Sequence, residues 1–209
     1  MVEQIDKSEG GKFLPVVEEF YTLQGEGFHT GKAAYFLRLG GCDVGCSWCD
    51  SRFSWNPDIH PVVSSDKIIE NIIESGTDSA VITGGEPLMW NLDYLCKGLK
   101  SNGINTFIET SGAYPLSGNW DWICLSPKKN SPPVNEIYKV ADELKVIVQD
   151  KKDFEWAEKY KVLVNKACRL YLQPEWSRFQ IIIPEIVEYV KRNPEWRVSL
   201  QVHKYMHIP

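Results

Sequence analysis

The sequence has no long apolar run and no excess of basic residues. None of its hydrophobic stretches approaches the roughly 20 residues that a membrane-spanning helix needs. The N-terminal segment MVEQIDKSEGGKF lacks the apolar core of a signal peptide, so we expect a cytoplasmic protein with no membrane partner. The chain has 23 Lys and Arg residues and 28 Asp and Glu residues, which gives a net charge of -5. This balance argues against a nucleic-acid partner bound by broad neutralisation of phosphates.

Internal repeats and low-complexity linkers are also missing. The chain has 209 residues, of which 43% are hydrophobic and 24% charged, a composition typical of a soluble globular protein. This length suffices for one domain with a substantial core. We therefore predict a single domain over residues 1–209, in which the polar and glycine-containing residues 1–12 form a flexible arm.

Short apolar runs alternate with segments of helical periodicity. The apolar runs predict strands at 15–21, 33–39, 79–83, 104–110, 121–126, 143–149, 169–174 and 197–203. The periodic segments predict helices at 64–75, near 90–101, near 152–160 and at 179–192. Such alternation indicates an α/β fold with a parallel sheet and helices packed outside it. Helices look short or missing between 104 and 125, which favours an incomplete, TIM-like β/α barrel of about six strands over a complete eight-unit barrel.

Polar motifs follow the predicted strands at four places. TGGEP begins at residue 83, ETSG at 109, SPK at 126 and QPEW at 173. Because the carboxyl ends of parallel strands meet at one edge of a barrel, these motifs should lie together. We expect the functional site there.

Three of the six cysteines fall within eight residues, in GCDVGCSWCDS, and no fourth follows nearby. In a reducing compartment, clustered thiols are metal ligands or catalysts more often than disulfides. Cys42, Cys46 and Cys49 could hold an iron–sulfur cluster with one iron left open to another ligand. A structural zinc site completed by His60 is the alternative, although such sites usually pair two short ligand motifs. A disulfide with one free thiol is the least expected arrangement in a reducing compartment.

The other three cysteines are isolated in apolar segments. A free cysteine in such surroundings usually behaves as a small buried hydrophobe. We therefore predict core positions for Cys96, Cys124 and Cys168.

The C-x3-C-x2-C spacing, with the aromatic Trp48 before the last cysteine, resembles the radical S-adenosylmethionine (SAM) superfamily. The resemblance implies that the three cysteines hold a [4Fe–4S] cluster whose open iron binds the amino and carboxylate groups of SAM. TGGEP is similar to the Gly-Gly-Glu motif of that superfamily, which contacts the methionine amino group. Its glycines allow the backbone to approach a ligand closely.

The resemblance narrows to the 7-carboxy-7-deazaguanine synthase family and covers nearly the whole chain. It rests on FYTLQGEGFHTGKAAYFLRLGGCDVGCSWCDS, then ITGGEP, ETSG, SPK, LQP and LQVHKYMHIP, in that order. It implies a lyase that converts 6-carboxy-5,6,7,8-tetrahydropterin to 7-carboxy-7-deazaguanine and ammonia, in queuosine or another deazapurine pathway. The reaction would begin when a 5′-deoxyadenosyl radical takes hydrogen from C6 of the pterin, and SAM would be regenerated.

The resemblance also assigns residues to SAM and to a metal. The implied SAM contacts are Trp48, Gly85, Glu109, Ser126, Pro127, Lys128, Gln173, Pro174, Glu175 and Trp176. Ser111 could touch SAM or substrate. Ser51 stands where the family usually has a Mg2+-binding threonine, and its hydroxyl keeps the oxygen that a hard cation prefers. A solvated loop serine is the alternative.

The implied substrate contacts are Leu23, Gln24, Gly25, Arg38, Thr83, His203 and Pro209. Arg38 ends a strand, where a guanidinium needs an anionic partner, and a bidentate bond to the substrate carboxylate suits it. An internal salt bridge would also satisfy it. Pro209 would bring its terminal carboxylate to the substrate, although termini are usually frayed. His203 could instead be a satisfied core histidine.

Two other functions compete with this interpretation. A radical SAM activase of a glycyl-radical enzyme would share the cysteine and TGGEP motifs, whereas LQGEG and HKYMHIP favour the small-molecule enzyme. A non-enzymatic iron–sulfur or zinc module would need four saturated ligands and no motifs after successive strands. The resemblance further implies a flavodoxin or ferredoxin as electron donor and a homodimer.

Overall fold

A computed structural model of the chain describes residues 9–209. Most of the predicted arm, residues 1–8, therefore lies outside the described residues. Residues 9–12 form turns that bond to the first long helix. The Ser65 hydroxyl donates to the carbonyl oxygen of Gly11 at 2.6 Å, and the Ser65 amide donates to that of Lys12 at 2.8 Å.

Strands and helices alternate over most of residues 9–209. The strands are β1 Phe13–Leu23, β2 Ala33–Leu39, β3 Val62–Ser64, β4 Ser79–Gly84, β5 Asn105–Thr110, β6 Trp122–Leu125, β7 Glu143–Val148, β8 Arg169–Pro174 and β9 Trp196–Val198. The α-helices are α1 Ser65–Glu74, α2 Asp93–Ser101, α3 Ile137–Val140, α4 Lys152–Lys161, α5 Phe179–Arg192 and α6 Val202–Met206. Short 3-10 helices occupy Arg52–Ser54, Pro57–Ile59, Pro87–Met89 and Trp176–Arg178. None of the helices in this described part has the length and apolar character needed to cross a membrane.

The strands form one sheet in the order β3-β1-β2-β4-β5-β6-β7-β8-β9. β2 and β4 to β9 are paired in parallel, whereas β1 pairs antiparallel with both β2 and β3. Residues 111–121, between β5 and β6, contain no helix. The predicted partial, TIM-like barrel is therefore confirmed, and an antiparallel hairpin edge is added that the periodicity did not reveal.

The core lies between the sheet and the helices outside it. In α1, the Ser64 side chain caps the helix by accepting from the Lys67 amide at 3.3 Å, and Ile68, Ile69 and Ile72 are buried. The sequence predicts Ile73 on the same apolar stripe, but this side chain is 42% exposed, because the next residue along a helix points about 100° away. Cys96, Cys124 and Cys168 are buried as predicted.

The last predicted strand, 197–203, is wrong beyond Val198. The ladder ends there because the chain turns back toward the loop after β1. The Ser199 hydroxyl donates to Gln173 Oε1 at 2.7 Å and accepts from the Gly27 amide at 3.0 Å, and the Val202 amide donates to the Gly25 carbonyl oxygen at 2.9 Å. His203 consequently lies on α6 and not at the end of a strand.

Candidate active site

One cavity of about 280 Å³ lies at the carboxyl ends of the parallel strands and joins the polar motifs to the cysteine loop. It is lined by Leu23, Gln24, Gly25, Arg38, Cys42, Cys46, Trp48, Cys49, Ser51, Thr83, Gly85, Glu109, Ser111, Ser126, Lys128, Gln173, Pro174, Glu175, Trp176, His203 and Pro209. All of these are candidate residues from the sequence. Pro127 is the exception among the candidates, since it does not line the cavity.

The loop that carries the three cysteines is braced from several sides. The Tyr114 hydroxyl donates to Asp43 Oδ2 at 2.6 Å, and Asn130 Nδ2 donates to the Gly45 carbonyl oxygen at 3.1 Å. All three cysteines are half-buried free thiols. Burial raises the pKa of Cys42 and of Cys46, which disfavours their thiolate forms.

This donor set fits an iron–sulfur cluster better than a single zinc ion. Within residues 9–209, no three His, Cys, Asp or Glu side chains converge on one ion. His60 Nε2 lies 2.9 Å from the carbonyl oxygen of Phe53, so a backbone group already engages the proposed fourth zinc ligand. All three cysteines line the same cavity, and three thiols suit a polynuclear centre, in which each thiolate can bind a different iron.

The two glycines of TGGEP allow this motif to pack on the cysteine loop. A Cβ added to Gly85 would lie 2.6 Å from Cys42 Cβ and closer still to the carbonyl oxygen of Gly41. Gly84 has a φ of +149°, and its added Cβ would overlap the backbone of Leu39. The amide of Glu86 donates to the Gly41 carbonyl oxygen at 2.8 Å. The glycines thus allow close backbone contact between two segments, and both line the cavity; the predicted close approach to a ligand stays a prediction.

Glu86 links TGGEP to ETSG. Its side chain is buried, and its carboxylate accepts from the Thr110 hydroxyl at 2.6 Å, the Leu88 amide at 3.0 Å and the Ser111 amide at 2.7 Å. The Ser111 hydroxyl donates to the same carboxylate. A buried carboxylate is stabilised by this many donors, and it fixes the relative positions of the ends of β4 and β5.

A buried charge network forms another wall of the cavity. Lys145 is 3% exposed, and its Nζ contacts Glu26 Oε2 and lies 2.8 Å from Glu109 Oε2. Glu109 Oε1 accepts from Gln24 Nε2 at 2.8 Å, and Glu26 Oε1 accepts from Gln201 Nε2 at 2.9 Å. Neither Lys145 nor Glu26 was predicted from the sequence as a site residue. A lysine inside the apolar strand ELKVIV was the available signal.

The charges in this network stabilise one another. Burial alone would raise the pKa of Glu26, but Lys145 and the hydrogen bonds around the carboxylate lower it to about 2. Burial alone would lower the pKa of Lys145, but the negatively charged groups around it raise it well above its usual value. The cavity wall therefore presents the ionised carboxylate of Glu26 at neutral pH.

The SPK motif places a half-buried lysine near the cysteines. Lys128 Nζ donates to the Ser126 hydroxyl at 2.7 Å and lies 5.7 Å from the centre of the Trp48 ring. Burial lowers the pKa of Lys128, while the nearby Cys46 acts in the opposite direction. Ser126 and Lys128 therefore line the cavity on the side of the cysteine loop.

Arg38 takes part in an internal salt bridge and also lines the cavity. Its Nε donates to Glu18 Oε1 at 2.7 Å. This bond uses one of the five N–H groups of the guanidinium, so the salt bridge and a second carboxylate partner are compatible.

The C-terminal segment covers one side of the cavity. His203 packs against Gly25, where an added Cβ would lie 2.7 Å from His203 Cβ, and burial lowers the pKa of this histidine. Lys204 Nζ lies 3.3 Å from Asp50 Oδ2 and 4.5 Å from the centre of the Trp176 ring. The segment is thus tied to both the cysteine loop and the QPEW motif.

Comparisons with known proteins agree with this arrangement. The family model of the Radical SAM superfamily matches residues 37–142. A protein of Flavobacterium psychrophilum named 7-carboxy-7-deazaguanine synthase is 56% identical over 201 residues, which cover 96% of this chain and 95% of that protein. A Synechocystis protein of the same name is 45% identical and covers 92% of each chain.

The fold has a counterpart among solved structures. The crystal structure of QueE from Escherichia coli superposes with a TM-score of 0.80 at 30% identity and covers 92% of this chain and 95% of that one. The cysteine loop, the motifs behind successive strands and the relatives point to the same assignment. The chain belongs to the 7-carboxy-7-deazaguanine synthase family of the radical SAM superfamily.

Proposed function

We propose that the chain is a radical SAM lyase that contracts 6-carboxy-5,6,7,8-tetrahydropterin to 7-carboxy-7-deazaguanine and releases ammonia, in queuosine or related deazapurine biosynthesis. One observation carries the proposal: the cysteine loop, the motifs assigned to SAM and the LQG segment assigned to substrate all line a single cavity. The relatives of the same name, at 56% and 45% identity over most of the chain, support it.

Membership of the family implies a [4Fe–4S] cluster and SAM as cofactors, and the donor set fits the cluster. Cys42, Cys46 and Cys49 would hold it. When bound, the two cofactors supply one-electron chemistry that removes a hydrogen atom from C6 of the pterin. The residues of the chain have the tasks of binding, orienting and excluding water.

The polar wall of the cavity suits a pterin edge. Glu109 accepts from the Gln24 amide nitrogen, and Gln24 Oε1 accepts from the Glu26 amide at 3.0 Å, so the amide of Gln24 is held in one orientation. The carboxylate oxygens of Glu26 and Glu109 are acceptors for the N–H groups of a pterin. Acceptors that are oriented before the substrate binds favour the matching substrate. An analogue without the N–H groups would leave these acceptors unpaired.

Arg38 and Ser51 would serve the substrate carboxylate. Arg38 retains N–H groups for a carboxylate beyond its bond to Glu18. Ser51 Oγ lies 3.1 Å from Asp50 Oδ1. Two oxygen atoms that could serve as metal ligands are therefore adjacent at the cavity, and Mg2+ prefers oxygen ligands. We include Mg2+ in the proposal on this basis. The other assigned contacts with SAM and substrate, Pro127 included, stay predictions. So do the flavodoxin or ferredoxin donor, the homodimer, the single domain over residues 1–209 and the cytoplasmic location.

Turnover tests the assignment. Anaerobically reconstituted and reduced protein is mixed with SAM and 6-carboxytetrahydropterin, and products are followed by mass spectrometry. We expect pterin-dependent accumulation of 7-carboxy-7-deazaguanine in excess over the SAM consumed. The Cys46→Ala variant is the matched control and should give none. Cleavage of SAM that is independent of the pterin, without a new heterocycle, would contradict the proposal and favour an activase.

A further inference from the structure

Trp55 connects the two ends of the cysteine motif. Its indole Nε1 donates to Cys49 Sγ at 3.4 Å, and its carbonyl oxygen accepts from the Cys42 amide at 3.1 Å. Trp55 is half-buried and lines the cavity. No motif identified in the sequence includes this residue.

The local backbone fixes the position of the ring. Trp55 ends the 3-10 turn Arg52–Ser54, and its amide donates to the Arg52 carbonyl oxygen at 3.1 Å. The guanidinium of Arg52 lies 5.7 Å from the centre of the indole ring, a distance at which a cation attracts the ring face. These contacts orient the indole N–H toward one sulfur.

An N–H group aimed at a ligand thiolate affects the electronic properties of the metal centre. The bond withdraws charge from the sulfur, and it is stronger in the reduced state, which carries one more negative charge. Hydrogen bonds to the sulfurs are one of the factors that set the reduction potential of an iron–sulfur cluster. Partial burial strengthens this effect, since the local dielectric is lower than in water.

We propose that Trp55 is a positioning residue that donates its indole N–H to the Cys49 thiolate and raises the reduction potential of the cluster. The inference rests on the cluster of the proposed function, but not on the identity of the substrate. It goes beyond the cysteines themselves, because Trp55 sets how readily the centre accepts its electron. A purely structural role for the ring would leave the potential unchanged once the cluster is loaded.

The test is a redox titration of reconstituted Trp55→Phe, followed by electron paramagnetic resonance in the absence of SAM and pterin. Phenylalanine keeps an aromatic ring and removes the N–H donor. We expect iron loading equal to that of the wild type and a midpoint potential shifted to a more negative value. An exchangeable proton coupled to the reduced cluster, measured by double resonance in H2O and D2O, should be lost with the donor.

Trp120→Phe is the matched control. The indole of Trp120 donates to the Ser117 carbonyl oxygen at 2.7 Å, and this residue does not line the cavity. Its substitution should leave the midpoint potential unchanged, and an equal shift in this variant would overturn the proposal. A loaded Trp55→Phe protein with the wild-type potential would overturn it as well.

A second variant covers the case in which Trp55→Phe takes up little iron. Benzothienylalanine introduced at position 55 replaces the N–H by sulfur and keeps the shape of the indole. We expect full loading and the same negative shift, and a wild-type potential in this loaded protein would refute the inference. Because neither SAM nor pterin is present, a failure here is distinct from a failure of turnover.

Discussion

Lys145 is the buried cation that compensates the carboxylates in the polar wall of the cavity. Its removal should lower the stability of the protein. In Lys145→Met, a side chain of similar length replaces the ammonium group, so the carboxylates of Glu26 and Glu109 lose their counter-ion. Removing one partner of a buried ion pair typically destabilises a protein by about 3–5 kcal/mol. The pKa of Glu26, about 2 against an ordinary 4.5, corresponds to about 3 kcal/mol, in agreement with that range.

The change in stability with pH should differ in sign between the wild type and the Lys145→Met variant. In the wild type the folded-state pKa of Glu26 is lowered, so its stabilising contribution is present above pH 4.5 and is lost as the pH falls toward 2. Without Lys145, burial is the dominant effect and raises the pKa of the carboxyl. The variant should therefore gain stability relative to the wild type as the pH falls from 7 to 5.

Urea unfolding followed by tryptophan fluorescence, at pH 7 and pH 5, measures both effects. Lys145→Arg keeps the charge and should lose much less stability. The exposed pair of Lys67 and Glu70, at 2.6 Å, provides a matched control, because solvent screens this pair and Lys67→Met should change the stability little. A loss in Lys145→Met no larger than in Lys67→Met, or a loss that grows on acidification, would refute the reasoning.

Three further changes test the site. Cys46→Ala should abolish iron loading, whereas the buried Cys96→Ala should not, as measured by iron content and absorbance; equal loading would remove Cys46 from the ligand set. Arg38→Ala should raise the KM for the pterin by about 10-fold or more, the loss of a charged hydrogen bond, with the KM for SAM unchanged; equal effects would contradict its carboxylate role. Gly85→Ala should lower stability by about 1–3 kcal/mol and reduce iron loading through its contact with the cysteine loop, whereas Gly103→Asn, in open space with a φ of +74°, should unfold like the wild type.

The local sequence pattern was sufficient to predict many of the strands and helices. Strands 33–39 and 169–174 and helix 179–192 have the predicted bounds, because their periodicity and burial are repeated over consecutive residues. The prediction failed after Val198, where the Ser199 side chain bonds to residues far away in the sequence and the chain turns toward Gly25. Polar contacts between distant residues produce no periodic pattern in the sequence, so the sequence does not predict them.

The same distinction holds for the candidate site. The spacing of Cys42, Cys46 and Cys49 and the order of the motifs along the chain identified the family, because these features are local and ordered. The sequence did not identify Glu86 as the link between two motifs, Lys145 as the counter-ion of the wall or Trp55 as a donor to Cys49.

The sequence by itself determined the alternation of the longer strands and helices, the cysteine motif and the motifs behind the strands, all of which depend on residues close together in the chain. Only the tertiary structure decided which side chains share a bond, as with Gln24 and Glu109, which lie 85 positions apart. The reason is physical: burial and charge depend on what surrounds a group in space, and a carboxylate in the same sequence context can be ionised or neutral according to whether a cation is packed beside it.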